Sequence, residues 1–134
     1  MGQKPVIVAD GAHNGESAQV LGAALKEYFQ WNRCFLVLGA TQDKDVAEIG
    51  LQLARLVDMI ICCRFNNPRS TDPLHMVQEV GFLGPMAVAE NSAKEGLETA
   101  FGHAKADDLI VIAGSLYLVA EARELILGES VRKP

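Results

Sequence analysis

The densest polar cluster in the sequence is Asp10-Gly11-Ala12-His13-Asn14-Gly15, directly after the apolar run Val6-Ile7-Val8-Ala9. In open α/β sheets ligands bind just outside the carboxyl ends of the strands, where such a turn would sit. A carboxylate at that point repels phosphate but accepts well from ribose hydroxyls or a base amine. Asp10 is therefore a candidate for the sugar of a nucleotide, and His13 lies on the same turn. Gly11 and Gly15 would let the backbone approach a ligand closely. A second candidate is Ser115, which follows Gly114 and opens a helix. There it is an N-cap, and such a position also points N–H donors at an arriving carboxylate. Each residue has a plainer reading. Asp10 could bond the N–H groups of its own turn, His13 could be solvated, and Ser115 could be a cap and nothing more.

Other chemistry is thinly represented. Arg64 and Arg69 flank the Pro68 loop, which could hold an anion or stand in water. His75 and His103 are lone histidines on helix surfaces and receive no role. Cys34, Cys62 and Cys63 lie inside apolar runs and read as reduced core thiols. Adjacent Cys62 and Cys63 should face opposite sides of a strand, and zinc would need paired ligands at turn spacing, so no metal site is expected. Neither G-x-x-x-x-G-K-[S/T] nor G-x-G-x-x-G follows any strand, so the chain has no phosphate cradle of its own. Ser115 lacks the G-x-S-x-G elbow of a hydrolase.

The elements that must position these residues alternate regularly. Residues 5–9 read as a strand and 15–30 as a helix capped by Asn14, with Ala18, Leu21, Leu25, Tyr28 and Phe29 on one face. The apolar run 34–38 is a second strand. Asp43 or Asp45 caps a helix over 46–56, striped by Val46, Ile49, Leu53 and Leu56. A strand over 59–63, a polar loop over 64–71 and a short helix from Pro73 to Val80 follow. Residues 86–89 form a short strand, and Asn91 or Ser92 caps a helix over 93–105. A strand over 109–113 leads into a last helix, 116–127, with Gly128 as its stop and 129–134 as a flexible tail. Such alternation predicts an α/β, Rossmann-like three-layer domain with a mostly parallel β-sheet flanked by helices.

Composition sets the outer bounds. The 134 residues suit one domain, and 49% hydrophobic with 22% charged is ordinary for a globular protein. The net charge of -5 without a basic cluster argues against nucleic acid. No run approaches the ~20 apolar residues of a membrane span. Met1 to Lys4 carries neither a signal-peptide core nor a myristoylation motif.

Asp10-Gly11-Ala12-His13-Asn14 after an apolar strand resembles the signature that opens the C-terminal domain of folylpolyglutamate synthases, including the bifunctional dihydrofolate synthases, in the Mur ligase superfamily. Leu36-Val37-Leu38-Gly39 with Asp43-Lys44-Asp45, Pro68-Arg69-Ser70, and Gly114-Ser115-Leu116-Tyr117-Leu118-Val119 resemble further segments in family order. The resemblance implies an ATP-dependent ligase that activates a folate carboxyl as an acyl phosphate, which glutamate's amine attacks. It implies ATP and magnesium as cofactors, with the P-loop and magnesium ligands in an N-terminal ATPase domain. Asp10 and His13 would meet the nucleotide, His13 also acting in catalysis, and Ser115 and Tyr117 would line the L-glutamate pocket. Residues 1–128 would be the C-terminal domain of a longer, cytoplasmic, monomeric enzyme, inactive alone, without nucleic-acid or membrane partners. Two departures stand out. Gly15 replaces the family's usual Pro, which would loosen the turn, and an Arg that precedes the family's first strand would lie ahead of Met1. The alternatives are a Mur-type ligase of cell-wall precursors and a non-enzymatic flavodoxin-like module. Against the latter, Arg64 and Phe65 follow the third strand where a receiver domain would carry an aspartate.

Overall fold

The computed structural model describes residues 4–132. Continuous apolar runs make the strands, because helices cover both faces of the sheet and leave no solvent side. β1 (Val6–Ala9), β2 (Cys34–Leu38), β3 (Met59–Cys63), β4 (Met86–Glu90) and β5 (Leu109–Ala113) form one sheet in the order β1-β5-β2-β3-β4, every pair parallel. β2, β3 and β5 are buried throughout.

Helices α1 (Gly15–Tyr28), α2 (Val46–Leu53) and α3 (Pro73–Val80) bury Leu21, Leu25, Ile49, Leu53, Met76 and Val80 on one face of the sheet, against Leu36, Leu38, Ile60, Cys62 and Val111. Helices α4 (Ala93–His103) and α5 (Leu116–Arg132) bury Leu97, Ala100, Leu118 and Ala122 on the other, against Val37, Ile61, Cys63, Ile110 and Ile112. The chain thus advances from β1 to β4 along one face and returns by α4 along the other. That reversal slots β5 between β1 and β2. The expected split of Cys62 from Cys63 across the sheet is present. Among the described residues no helix is long and apolar enough to cross a membrane.

Several boundaries differ from the sequence pattern. α1 ends at Tyr28, which is 73% exposed and off the core face, while Phe29 packs inward from an extended C-cap. α2 gives way at Ala54–Leu56 to a 3₁₀ turn. Asp45 caps α2 and Ser92 caps α4, each accepting from the N–H three residues on. Asp43 is freed from capping and serves the loop described below. β4 extends to Glu90, and α4 ends at His103. α5 does not stop at Gly128 but continues to Arg132. A glycine within a helix costs only ~1 kcal/mol, and a glycine stop is favoured where glycine takes the left-handed backbone; among the described residues the glycines with positive φ are Gly84 and Gly114. Of the expected tail, residues 133 and 134 lie outside the described residues, as do Met1 to Gln3 of the amino terminus.

Candidate functional site

Four turns meet along the carboxyl end of the sheet. The first, Asp10 to Asn14, is built locally. Asp10 Oδ1 accepts from the Ala12 N–H at 2.8 Å, which is the plainer role anticipated for it. Its other oxygen takes no hydrogen bond from the described residues, and the side chain is exposed. Asn14 and Ser17 form a reciprocal capping box at the start of α1, and Ser17 Oγ also accepts from the His13 N–H at 3.0 Å. The His13 imidazole is exposed, with Nδ1 3.0 Å from the Gly11 carbonyl oxygen. A carbonyl only accepts, so Nδ1 carries the proton and Nε2 faces outward as an acceptor when the ring is neutral.

Gly15 lies against the Glu48 side chain. A Cβ there would stand 2.7 Å from Glu48 Oε1 and overlap that side chain's stem. Glu48, which accepts from Gln52 Nε2 at 3.0 Å, occupies the space a larger residue at position 15 would need.

The β5 turn is sewn onto the first. The Gly114 N–H donates to the Ala12 carbonyl at 2.7 Å, and the Asp10 N–H donates to Ile112 at 2.9 Å. Gly114 has φ +111°, and a Cβ on it would collide with the Gly39 carbonyl oxygen. Only glycine fits there without strain. Leu116, 71% exposed, lies over Gly11 in the space a side chain would need. Ser115 is buried, and its Oγ accepts from the Tyr117 N–H at 3.1 Å, so it caps α5. Asp10, His13 and Ser115 therefore belong to one stitched pair of turns.

Tyr117 departs from that group. Its ring stacks on Phe65 of the β3–α3 loop, centroids 6.3 Å apart and planes 11° off parallel. That loop is joined in turn to the β2–α2 turn. Thr41 bridges to Ser70, the Gln42 N–H donates to Arg69 at 2.8 Å, and the Thr71 N–H donates to Ala40 at 2.9 Å. Asp43 gathers the Thr41 hydroxyl at 2.6 Å, Arg69 at 3.2 Å and Lys44 at 3.7 Å. The Thr41 hydroxyl above all, then a backbone N–H and the two cations, holds its carboxyl below the usual range. Arg64 lies 3.8 Å from Asp72. Both candidate anion-binding arginines thus already face carboxylates. Phe65 and Glu121 at this end escaped the sequence reading, because their partners lie far along the chain and neither carries a motif.

His75 pairs with Glu79 at 3.5 Å, and His103 sits beside Phe35 at the opposite end of the sheet. Burial pushes the thiols of Cys34, Cys62 and Cys63 up to about 12, so they remain protonated and inert. Among the described residues, no three His, Cys, Asp or Glu side chains gather as a metal-holding group.

Known proteins resemble this chain in sequence and in fold. The family described as Mur ligase, glutamate ligase domain, matches residues 1–116. The probable bifunctional folylpolyglutamate synthase/dihydropteroate synthase of Haloferax volcanii is 34% identical over 92% of this chain and 15% of its own length. The UDP-N-acetylmuramoyl-L-alanyl-D-glutamate–2,6-diaminopimelate ligase of Ectopseudomonas mendocina is 29% identical over 84% of this chain and 24% of its own. Among solved structures, E. coli FolC in complex with DHPP and ADP superposes with a TM-score of 0.86 at 26% identity, over 97% of this chain and 30% of that one. The chain therefore spans less than a third of the proteins it matches.

Proposed function

The chain belongs to the Mur ligase family as its glutamate ligase domain, and on that premise we propose that it is the C-terminal domain of an ATP-dependent ligase joining L-glutamate to folate. When bound, ATP would supply the phosphoryl group that activates the folate carboxyl as an acyl phosphate, and glutamate's amine would attack its carbonyl carbon and release phosphate. The observation that carries the reading is the 2.7 Å bond from the Gly114 N–H to the Ala12 carbonyl. It makes one rim of a sugar-accepting carboxylate, an imidazole and a capped helix start.

Asp10 fits a nucleoside because its free oxygen can accept from ribose hydroxyls while the other holds the turn. His13, its Nδ1 engaged by Gly11, would present Nε2 to the nucleotide and to the incoming amine. Ser115 and Tyr117 would line the glutamate pocket, with the positive end of α5 favouring a carboxylate. Without a phosphate cradle, the triphosphate and magnesium would be gripped by an N-terminal P-loop domain. The proposed enzyme is a cytoplasmic monomer, a setting that suits three buried reduced thiols.

The test is ADP release by the full-length enzyme. It should require both folate and glutamate, and the 134-residue chain alone should release none. Turnover by the isolated chain would overturn the division of labour. A second reading, favoured by the likeness to the E. mendocina enzyme, is a ligase of cell-wall precursors. ADP release driven by a UDP-muramoyl peptide and an amino acid, and not by folate, would replace the first reading with the second.

A further inference from the structure

Helix α5 reaches from the Ser115 turn across to the β3–α3 loop with two side chains one helical turn apart, Tyr117 and Glu121. Tyr117 lays its ring on Phe65. Glu121 Oε1 accepts from the Asn66 N–H at 2.7 Å, the next residue of the same loop. Ser70 Oγ accepts from the Phe65 N–H at 3.1 Å. Two consecutive loop amides are thus held by side chains, and the buried Phe65 ring between them has little freedom to turn.

Glu121 is half-buried, and no ion pair to it is formed among the described residues. A surface glutamate that gives up water for a backbone amide makes a short, charge-assisted hydrogen bond. The bond ties α5 to a loop 55 residues away in sequence.

We infer that Glu121 is a positioning residue for the amino-acid pocket. It acts through Asn66 and Phe65 to fix the Tyr117 ring, the wall that the proposed function assigns to the incoming amino acid. The inference rests on that reading of Tyr117. Without the Glu121 contact, the Asn66 amide turns to water, the Phe65 ring loosens and the Tyr117 ring loses its platform. The Asp10–His13 turn is held by its own bonds and by the Gly114 N–H just ahead of α5, none of which involves Glu121, Asn66 or Phe65, and is left alone. The amino-acid site should therefore respond and the nucleotide site should not.

The experiment compares Glu121→Ala, Glu121→Gln and Phe65→Leu in the full-length ligase. Glu121→Ala should raise the KM for the amino acid about tenfold, with the KM for ATP and kcat within twofold of wild type. Glu121→Gln keeps an oxygen that accepts from the Asn66 N–H, so it should return that KM to near the wild-type value. Phe65→Leu keeps an apolar side chain without the stacking ring and should reproduce the alanine effect. It also carries the test should Glu121→Ala melt early. An unchanged amino-acid KM in Glu121→Ala or Phe65→Leu, or equal losses for both substrates, would overturn the inference. A wild-type enzyme that uses a different amino acid would overturn the glutamate assignment alone, and the same split would then be read with the amino acid it does use.

Discussion

At the amino end of the sheet, Asp108 precedes β5 and accepts from the Arg33 N–H at 2.9 Å, the Lys105 N–H at 2.8 Å and the Arg33 guanidinium at 3.2 Å. At the carboxyl end, Asp10 follows β1 and accepts only the Ala12 N–H among the described residues. Asp108 is 2% exposed, whereas Asp10 stands in solvent. Both carboxylates brace a turn beside the same strand, yet one has both oxygens engaged and the other keeps an oxygen free. A buried carboxylate left half-paired would cost stability, so the amino end must satisfy it completely. An exposed carboxylate has water in reserve and can exchange that water for a ligand hydroxyl. The comparison gives a physical criterion for separating a brace from a binding group when the residue type is the same.

The same substitution at both places should break the comparison in opposite directions. Asp108→Asn places an NH₂ among donors and should cost about 3 kcal/mol of stability, read as a lower denaturant midpoint. Its pH dependence sharpens the point. Burial alone would raise the Asp108 pKa, but the Lys105 and Arg33 N–H groups and the Arg33 guanidinium outweigh it and hold the pKa below the usual range. As pH falls, the unfolded chain takes up the proton first. Wild-type stability should therefore be full above the ordinary carboxylate range and fall as the pH drops through it. Asp108→Asn should lack that component.

Asp10→Asn keeps an oxygen for the Ala12 N–H and should melt within a few degrees of wild type. In the full-length enzyme it should raise the KM for ATP about tenfold, equivalent to ~1.4 kcal/mol. Lost stability with normal ATP kinetics would make Asp10 a brace like Asp108.

The smallest expected effect on folding belongs to Ser115→Gly, which also separates a cap from a ligand. Glycine is a tolerable N-cap and should cost only a few tenths of a kcal/mol. It has no hydroxyl, so the KM for glutamate should still rise, by about tenfold in the full-length enzyme. Native glutamate kinetics would leave Ser115 as the cap of α5 that its bond to the Tyr117 N–H already makes it.

The sequence by itself determined the elements and the local chemistry of the first turn. Runs such as Cys34–Leu38 and Leu109–Ala113 could only be strands buried on both faces. The Asp10–Ala12 and Asn14–Ser17 bonds span two and three residues, so residue type and spacing suffice to anticipate them. Helix ends were less legible: Gly128 does not adopt a left-handed backbone, and α5 runs past it to Arg132. Tertiary structure alone decided the place of β5 between β1 and β2, since a strand's partner is chosen by the path of the crossovers and not by its own residues. That placement joined Gly114 to Ala12, closed the space around Gly114 against the Gly39 carbonyl, and laid the Tyr117 ring on Phe65. The Glu121 bond to Asn66 has the same origin: 55 residues of chain had to fold before either group had a partner.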